Sequence, residues 1–207
     1  RYQEEFGRPI ANHGITLVPG DCVYVDLNAD GEINSNDATR DIGYTDMPEY
    51  TAGLNTGFSW KNFDFSMQWT GAWNVDRMLD EFRRPLGDTN EKGLLLYQYD
   101  TTWRSSADTF TAKFPRTSSL HASNNYAGSD LYLINASYLR LKSVEIGYNF
   151  NFPFMKKLKM DNCRLYVNGY NLITITGFKW GDPESRQSSR PNYPLTRVFN
   201  IGLKLGF

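Results

Sequence analysis

Hydrophobic and polar residues alternate strictly along the end of the chain, over residues 197–207. Every second residue from position 199 onward is large and apolar, namely Phe199, Ile201, Leu203, Leu205 and Phe207. Because successive side chains of a β-strand point to opposite faces, this pattern predicts a strand with one apolar face and one polar face. Its length is about that of a tilted strand that crosses a bilayer. By itself the strand fits a membrane barrel and the last strand of a soluble sandwich equally well.

The same alternation predicts further strands at about 52–61, 63–73, 138–150 and 162–173. The first two are joined by the tight turn Lys61-Asn62 and are therefore predicted to form a hairpin. The apolar face of 63–73 carries Phe, Met and Trp side chains, more than an ordinary exposed strand would carry. A soluble sheet would bury such a face in a core, whereas a barrel would turn it to lipid.

The predicted strand 138–150 contains one irregularity. Leu139 and Leu141 are the apolar residues before Ser143, whereas Val144 and Ile146 are the apolar residues after it. The apolar positions change parity by one residue, which predicts a β-bulge near Lys142-Ser143.

The connections between these strands alternate between short and long. The turns 61–62 and 151–161 are short, whereas the loops 74–137 and 174–196 are long. A connection of roughly 60 residues is far longer than those of compact soluble domains, although we expect short helices near 75–82 and 92–104. Bacterial outer-membrane barrels combine short periplasmic turns with long extracellular loops. The pattern therefore predicts an all-β fold, an antiparallel transmembrane β-barrel whose C-terminus lies in the periplasm.

The predicted strands are too few to close a barrel, since the smallest barrels have about 8. We therefore expect the C-terminal part of a longer protein, with barrel strands in 52–207 and an extracellular loop region in 1–51. A terminal Phe on a closing strand resembles the signal that outer-membrane barrels present to their assembly machinery. Phe207 is the candidate assembly signal.

Within the loop region, oxygen-bearing side chains follow the spacing of an EF-hand calcium loop. Loop positions 1, 3, 5, 9 and 12 are Asp26, Asn28, Asp30, Asn34 and Asp37. Gly31 stands at position 6, where such loops turn sharply, and Glu32 at position 7 would bind Ca²⁺ through its main-chain carbonyl. No long amphipathic helix is predicted beside the loop, so we expect a structural calcium site rather than a sensor. The alternative is a polar, Asp-rich surface turn.

Composition excludes some classes of protein. The net charge of -1 gives no electrostatic reason to expect nucleic acid as a partner. No run of about 18 apolar residues predicts a transmembrane helix, but lumen-facing residues dilute the hydrophobic signal of a barrel. Cys22 and Cys163 are too few for a disulfide framework, and neither has the neighbours of a zinc or redox site. We expect two unpaired, buried thiols.

The sequence shows no catalytic pattern, and we predict that the protein is not an enzyme. His13 and His121 lie in predicted loops without a Ser or Cys nucleophile pattern, so we expect solvated histidines. Asp182-Pro183-Glu184 is predicted to form a turn, because a catalytic carboxylate pair needs a three-dimensional spacing that sequence does not show.

An ordered set of motifs resembles the C-terminal region of SusC/RagA-type TonB-dependent transporters. No single motif is specific, but the set covers about residues 20–207. The motifs are Gly20-Asp21 leading into the loop 26–37, Lys61-Asn62-Phe63-Asp64-Phe65, Trp103 before Phe114-Pro115-Arg116, Ser137-Tyr138-Leu139-Arg140-Leu141-Lys142, Leu165-Tyr166-Val167-Asn168-Gly169-Tyr170-Asn171-Leu172, Asp182-Pro183-Glu184, Tyr193-Pro194 and Phe207.

The resemblance implies an outer-membrane active transporter with about 22 strands around a plug. It implies import of oligosaccharides or peptides together with a SusD-like surface lipoprotein, powered by the TonB complex through an N-terminal part outside this sequence. The motifs assign no substrate-contacting residues. The alternative function is a secreted, calcium-stabilised β-rich binding or adhesion module.

The aromatic residues divide between strands and loops. Trp60, Trp69 and Trp73 lie on predicted strands, where we expect lipid-facing or interfacial positions. The aromatic residues of the long loops are expected to contact substrate, contact the partner lipoprotein or hold the loops together, and they are Tyr97, Tyr99, Trp103, Tyr126 and Trp180.

Overall fold

A computed structural model of the chain describes residues 11–12, 14–80, 82–83, 95–151, 153, 159–185 and 195–207. The chain forms two compact units, the first drawn from residues 1–43 and 78–134 and the second from residues 44–77 and 135–207. Most of the long connection 74–137 clusters with the N-terminal region rather than with the strands.

Strands dominate the described residues, and helices are short. The strands are β1 (Ala11–Asn12), β2 (Ile15–Thr16), β3 (Tyr50–Trp60), β4 (Phe63–Trp73), β5 (Asp76–Met78), β6 (Leu133–Asn135), β7 (Tyr138–Phe150), β8 (Asn162–Thr176) and β9 (Val198–Gly206). The helices are α1 (Leu96–Thr101) and α2 (Ala122–Asn125), with 3-10 turns at Ser35–Asp37, Ser106–Asp108 and Asp130–Tyr132. None of the helices described is both long enough and apolar enough to span a membrane.

The second unit is built on a five-stranded antiparallel sheet in the order β3-β4-β7-β8-β9. The predicted antiparallel β fold is therefore confirmed. β8 continues to Thr176, so the loop that follows it begins later than the predicted residue 174.

The register places apolar side chains in rows across the whole sheet. One row runs from β3 to β9 through Phe58, Phe65, Ile146, Val167 and Ile201. The adjacent row lies on the opposite face and is polar or bare, with Gly57, Ser66, Glu145, Asn168 and Asn200. Because directly paired residues share a face, the sheet has one continuous apolar face and one continuous polar face.

The predicted bulge in β7 is confirmed. Gln68 pairs with Ser143 and Trp69 pairs with Leu141, which leaves Lys142 as an extra residue on β7. The pairing of β7 with β8 is also irregular between Leu141 and Ser143. A bulge restores the face of the side chains beyond it, so the apolar residues on both sides of Lys142 stay on one face of the sheet.

The described residues 75–80 and 82 form no helix, although one was expected near 75–82, and β5 (Asp76–Met78) lies there instead. Val75, Leu79 and Phe82 are all buried at spacings that also suit a helix. The backbone instead finds partners elsewhere in the chain, since Leu79 N donates to Tyr132 O at 2.9 Å. Tertiary pairing thus overrides the local pattern. The second expected helix, near 92–104, is observed as α1.

The first unit has an aromatic core of its own. Phe82 stacks on Phe114 with ring centroids 5.3 Å apart, and Phe114 stacks on Tyr132 at 6.2 Å. Tyr132 is completely buried, and its hydroxyl donates to the carbonyl of Asn125 at 2.7 Å. The described residues of the long connection therefore pack around an aromatic core rather than forming a structureless loop.

We expect Tyr132→Phe to lower the local stability of the first unit by about 1–3 kcal/mol, because the buried Asn125 carbonyl loses its hydroxyl donor. Faster amide hydrogen exchange in 114–132 of the full-length protein would report the loss. Tyr99→Phe is the control, since the Tyr99 ring is exposed and its loss of a hydroxyl should change nothing. Unchanged exchange in Tyr132→Phe would contradict the structural role of this hydrogen bond.

Candidate functional site

The backbone of the loop 26–37 turns sharply where a calcium loop would. Ala29 and Gly31 both have positive φ, of 59° and 85°. Glycine adopts this region without strain, so Gly31 suits the turn at loop position 6. The 3-10 turn Ser35–Asp37 closes the loop.

Side-chain oxygens of the loop hold its first half by accepting backbone N–H groups. Asp26 Oδ2 accepts from Gly31 N at 2.7 Å, and Asn28 Oδ1 accepts from Asp30 N at 3.0 Å. Asp30 Oδ1 accepts from Glu32 N at 2.8 Å. These hydrogen bonds direct the oxygen-bearing side chains back over their own turn.

The last predicted ligand, Asp37, joins the two ends of the loop. Its Oδ1 accepts from Leu27 N at 2.9 Å, and its Oδ2 accepts from Asn34 N at 2.8 Å. Asn34 Oδ1 in turn accepts from Asn36 N at 2.8 Å. The loop is thus closed by the shorter Asp side chain that stands where a Glu is usual.

One buried side-chain oxygen among the described loop residues lacks a hydrogen bond. Asp26 Oδ1 is buried and has no partner among the described residues. Such an atom is costly unless something satisfies it, and a cation would do so. In the described part of the chain, no group of three or more His, Cys, Asp or Glu side chains is clustered as a metal site. Asn oxygens and a main-chain carbonyl would therefore have to complete the coordination.

The apolar face of the sheet is open along its length. Its side chains are largely exposed, with Phe58 at 57%, Val167 at 46% and Ile201 at 78%. At the turn between β3 and β4, the exposed Trp60 ring carries the Lys61 ammonium 4.8 Å from its centroid. An exposed apolar surface of this extent is typical of a surface that contacts lipid or another protein.

The polar face carries a chain of hydrogen bonds across four strands. Arg164 on β8 binds Asp64 on β4 and donates to Glu145 Oε1 on β7 at 2.7 Å. Asn168 Nδ2 donates to Glu145 Oε2 at 3.2 Å, and Asn200 Nδ2 on β9 donates to Asn168 Oδ1 at 2.9 Å. The charged and amide groups of the polar face thus form hydrogen bonds with one another.

Glycine allows large side chains to lie flat on the polar face. A Cβ at Gly202 would stand 2.2 Å from the Tyr166 ring, so the ring occupies the space over this glycine. The Arg164 guanidinium lies 5.1 Å from the same ring centroid, a cation–π distance. Glycine at position 202 is therefore required by a close approach.

A buried carboxylate organises the first unit. The Asp21 side chain is fully buried and pairs with Arg116 Nε at 2.7 Å and with His121 Nδ1 at 2.6 Å. Asn125 Nδ2 donates to Asp21 Oδ1 at 2.9 Å, and Val18 N donates to Asp21 Oδ2 at 3.0 Å. The expectation that His121 is solvated is thus wrong, because the fold brings its ring to Asp21. His13 lies outside the described residues.

The environment of Asp21 shifts its pKa strongly. Burial by itself raises the pKa of the Asp21 carboxyl, but hydrogen bonds from Val18 N, Asn125, His121 and Arg116 outweigh burial and lower the pKa to about 2. The carboxylate is charged at neutral pH and stabilises the two segments that donate to it.

The two cysteines and several aromatic residues of the long loops are partly or fully buried, or contact a neighbouring side chain. Cys22 and Cys163 are half-buried thiols rather than the buried ones expected from the sequence, and burial raises the pKa of the Cys22 thiol to about 11. Tyr126 is buried, and the half-buried Tyr97 meets Phe114 edge-on. Tyr99 is exposed, and the Arg104 guanidinium stacks on it at 3.9 Å.

No protein-family model matches the chain. Its sequence is 30% identical to TonB-dependent receptor P3 of Formosa agariphila, in a comparison that covers 91% of this chain and 19% of that receptor. It is 28% identical to TonB-dependent receptor SusC of Bacteroides thetaiotaomicron, covering 99% of this chain and 18% of SusC. The chain therefore spans about a fifth of the length of these relatives.

Solved structures show the same fold. The RagAB peptide importer in the closed-closed state matches with a TM-score of 0.64 and 23% identity, over 92% of this chain and 21% of that chain. The RagAB peptide transporter matches with a TM-score of 0.61 and 21% identity, over 79% of this chain and 18% of that chain. These relatives are named as receptors and transporters rather than enzymes, in line with the predicted absence of catalysis.

We expect the first unit to lose stability in acid as Asp21 becomes protonated. The folded pKa lies below its ordinary value of 3.8, so the stabilisation is complete above about pH 4 and is lost as the pH falls towards 2. The loss is on the order of 2 kcal/mol. Cleavage of the first unit by pepsin, which works in this range, should accelerate between pH 4 and 2.

Asp21→Asn is the matched variant. It should be cleaved faster at pH 4 and should show a weaker dependence on pH than the wild type, each rate being corrected with an unstructured reference peptide. Equal pH dependence in both proteins would contradict the assignment of this stability to Asp21.

Proposed function

This chain is homologous over most of its length to TonB-dependent receptors of the SusC/RagA type, and from that premise we propose that it forms part of the wall of an outer-membrane active transporter. The whole protein would close the barrel with strands outside residues 1–207. The long connections would lie outside the cell and the short turns in the periplasm, as in other bacterial barrels.

The continuous, exposed apolar face of the five-stranded sheet carries this proposal. Apolar area in contact with water costs about 25 cal/mol per Å², so rows of exposed Phe, Ile and Val are stable only against another apolar phase. Lipid satisfies this need for every row at once. The polar face, with its mutually bonded Asp64, Arg164 and Glu145, would face a hydrated interior.

The partners and cargo follow from the same premise. A SusD-like surface lipoprotein would bind the external side, and the TonB complex would act through an N-terminal part of the protein. The cargo would be an oligosaccharide or a peptide; the RagAB structures are named as a peptide importer and transporter, and we extend only the transport class to this chain. The role of Phe207 in assembly stays a prediction.

We also propose that the loop 26–37 binds Ca²⁺ outside the cell. Ligands would be the side chains of Asp26, Asn28, Asp30, Asn34 and Asp37 with the main-chain carbonyl of Glu32. The unpartnered, buried Asp26 Oδ1 supports this proposal, as does the turn at Gly31. Bound Ca²⁺ would satisfy the buried Asp26 Oδ1 and partly neutralise the negative charge of the loop.

Adjacent residues of β9 offer a matched test of the membrane proposal. Ile201 lies on the apolar face and Asn200 on the polar face. We expect Ile201→Arg to cost about 2–4 kcal/mol in the bilayer and to reduce the folded outer-membrane fraction of the full-length protein. Asn200→Arg should change that fraction little.

Heat-modifiable migration of outer-membrane extracts in gels measures the folded fraction. Equal behaviour of the two variants, or a wild-type protein that stays monodisperse in detergent-free buffer, would instead favour the secreted, calcium-stabilised binding module.

Calcium removal should loosen the loop without unfolding the sheet. We expect the full-length protein in detergent to gain hydrogen-exchange protection in 26–37 as Ca²⁺ rises, with a Kd of roughly 10⁻⁴ to 10⁻³ M. Asp26→Asn should weaken Ca²⁺ binding at least tenfold, because it removes the negative charge of the side chain that carries the unpartnered oxygen. Asp41→Asn is the control, since Asp41 is exposed and outside the loop. Protection that does not change in millimolar Ca²⁺ would refute the site.

A further inference from the structure

The segment that follows β8, residues 177–185, is anchored to the sheet of its own unit. Phe178 is only 5% exposed, although it lies in a connection between strands. Its N–H donates to Thr176 Oγ1 at 3.0 Å, and that hydroxyl donates to Ser137 O at 2.8 Å. Pro183 is also buried. Both ends of the segment are thus held.

Arg140 on β7 is the centre of this anchor. Its side chain is 2% exposed and pairs with Asp182 Oδ1 at 2.8 Å and with Glu184 Oε2 at 2.6 Å. Its Nε donates to Thr174 Oγ1 on β8 at 3.0 Å. A buried guanidinium is stable only when its charge and its N–H donors are matched, and here two carboxylates and a hydroxyl match them.

Lys142, the extra residue of the bulge, adds a second cation. Its ammonium lies 3.1 Å from Glu184 Oε2, the oxygen that also accepts from Arg140. Residues two apart on a strand share a face, so Arg140 and Lys142 reach the same carboxylate. Beyond the bulge, the apolar residues of β7 continue on the apolar face of the sheet, opposite to the face of Arg140 and Lys142.

The two carboxylates that pair with Arg140 and Lys142, those of Asp182 and Glu184, belong to a hydrogen-bonded turn. Asp182 Oδ1 accepts from Glu184 N at 2.9 Å, and Asp182 O accepts from Ser185 N at 3.1 Å. These bonds hold the turn from which both acidic side chains reach the cations of β7. The motif Asp182-Pro183-Glu184 is therefore an anionic turn whose two carboxylates are paired with cations of the same chain.

We infer that Arg140 and Lys142 clasp residues 177–185 to the polar face of the sheet, so that this segment is a fixed part of the passage wall rather than a mobile lid. That placement in a passage rests on the proposed transporter function, whereas the clasp itself does not. Because both carboxylates are neutralised within the chain, the segment offers no free acidic pair to a cationic cargo. Arg140 is thus a positioning residue that acts through the segment.

Hydrogen exchange of the full-length protein in detergent tests the clasp. In Arg140→Gln we expect amides of 177–185 to exchange at least tenfold faster than in the wild type, while β3 and β4 keep their rates. The double variant Asp182→Asn with Glu184→Gln should release the same amides, since it removes the partner charges from the other side. Arg140→Lys, which keeps a charge, should restore a measurable part of the protection.

Arg164→Gln is the matched control, because Arg164 is also an ion-paired arginine of the polar face but has no contact with the segment. It should leave exchange in 177–185 within threefold of the wild type. The inference is overturned if Arg140→Gln leaves the segment protected, if Arg164→Gln releases it equally, or if Arg140→Lys behaves like Arg140→Gln. Failure of the transporter proposal would appear separately, as normal membrane assembly of Ile201→Arg.

Discussion

The apolar face of the five-stranded sheet is the constraint on which the rest of the structure depends. Rows of Phe, Val and Ile cross every strand, and these side chains remain exposed in the described residues. Such a surface is stable in water only if something apolar covers it. The proposal that the sheet forms part of an outer-membrane wall depends on lipid being that cover, whereas the proposed cargo and partners rest on the similarity to TonB-dependent receptors.

The polar face of the five-stranded sheet meets a different physical requirement, the pairing of charged groups. Strands that turn one side to lipid must place their charged groups on the other side, where each charge needs a partner. Asp64, Arg164 and Glu145 pair near the hairpin turn of β3 and β4, and Arg140 pairs with Asp182 and Glu184 on the far side of the bulge. The bulge at Lys142 serves both faces of the sheet. It inserts one extra residue into β7, and the apolar residues on either side of it therefore stay on the apolar face.

The described residues of the long connection 74–137 have a packed core of their own. Its aromatic residues Phe82, Phe114 and Tyr132 build a core, and the buried Asp21 ties the N-terminal segment to Arg116, His121 and Asn125. The loop 26–37, which we propose to bind Ca²⁺, belongs to this same unit. Within the loop the side chain of Ile33 is buried, whereas most of the other loop residues are exposed.

The sequence by itself determined the elements that depend on local periodicity. Alternation of period two located the long strands, and the parity change after Leu141 located the bulge, because both follow from side-chain direction along one strand. The spacing from Asp26 to Asp37 likewise placed a turn at Gly31. Only the tertiary structure decided contacts between residues far apart in sequence. It brought His121 to Asp21, Asp182 to Arg140 and Leu79 to Tyr132, since such pairings depend on how the whole chain packs and leave no periodic signal.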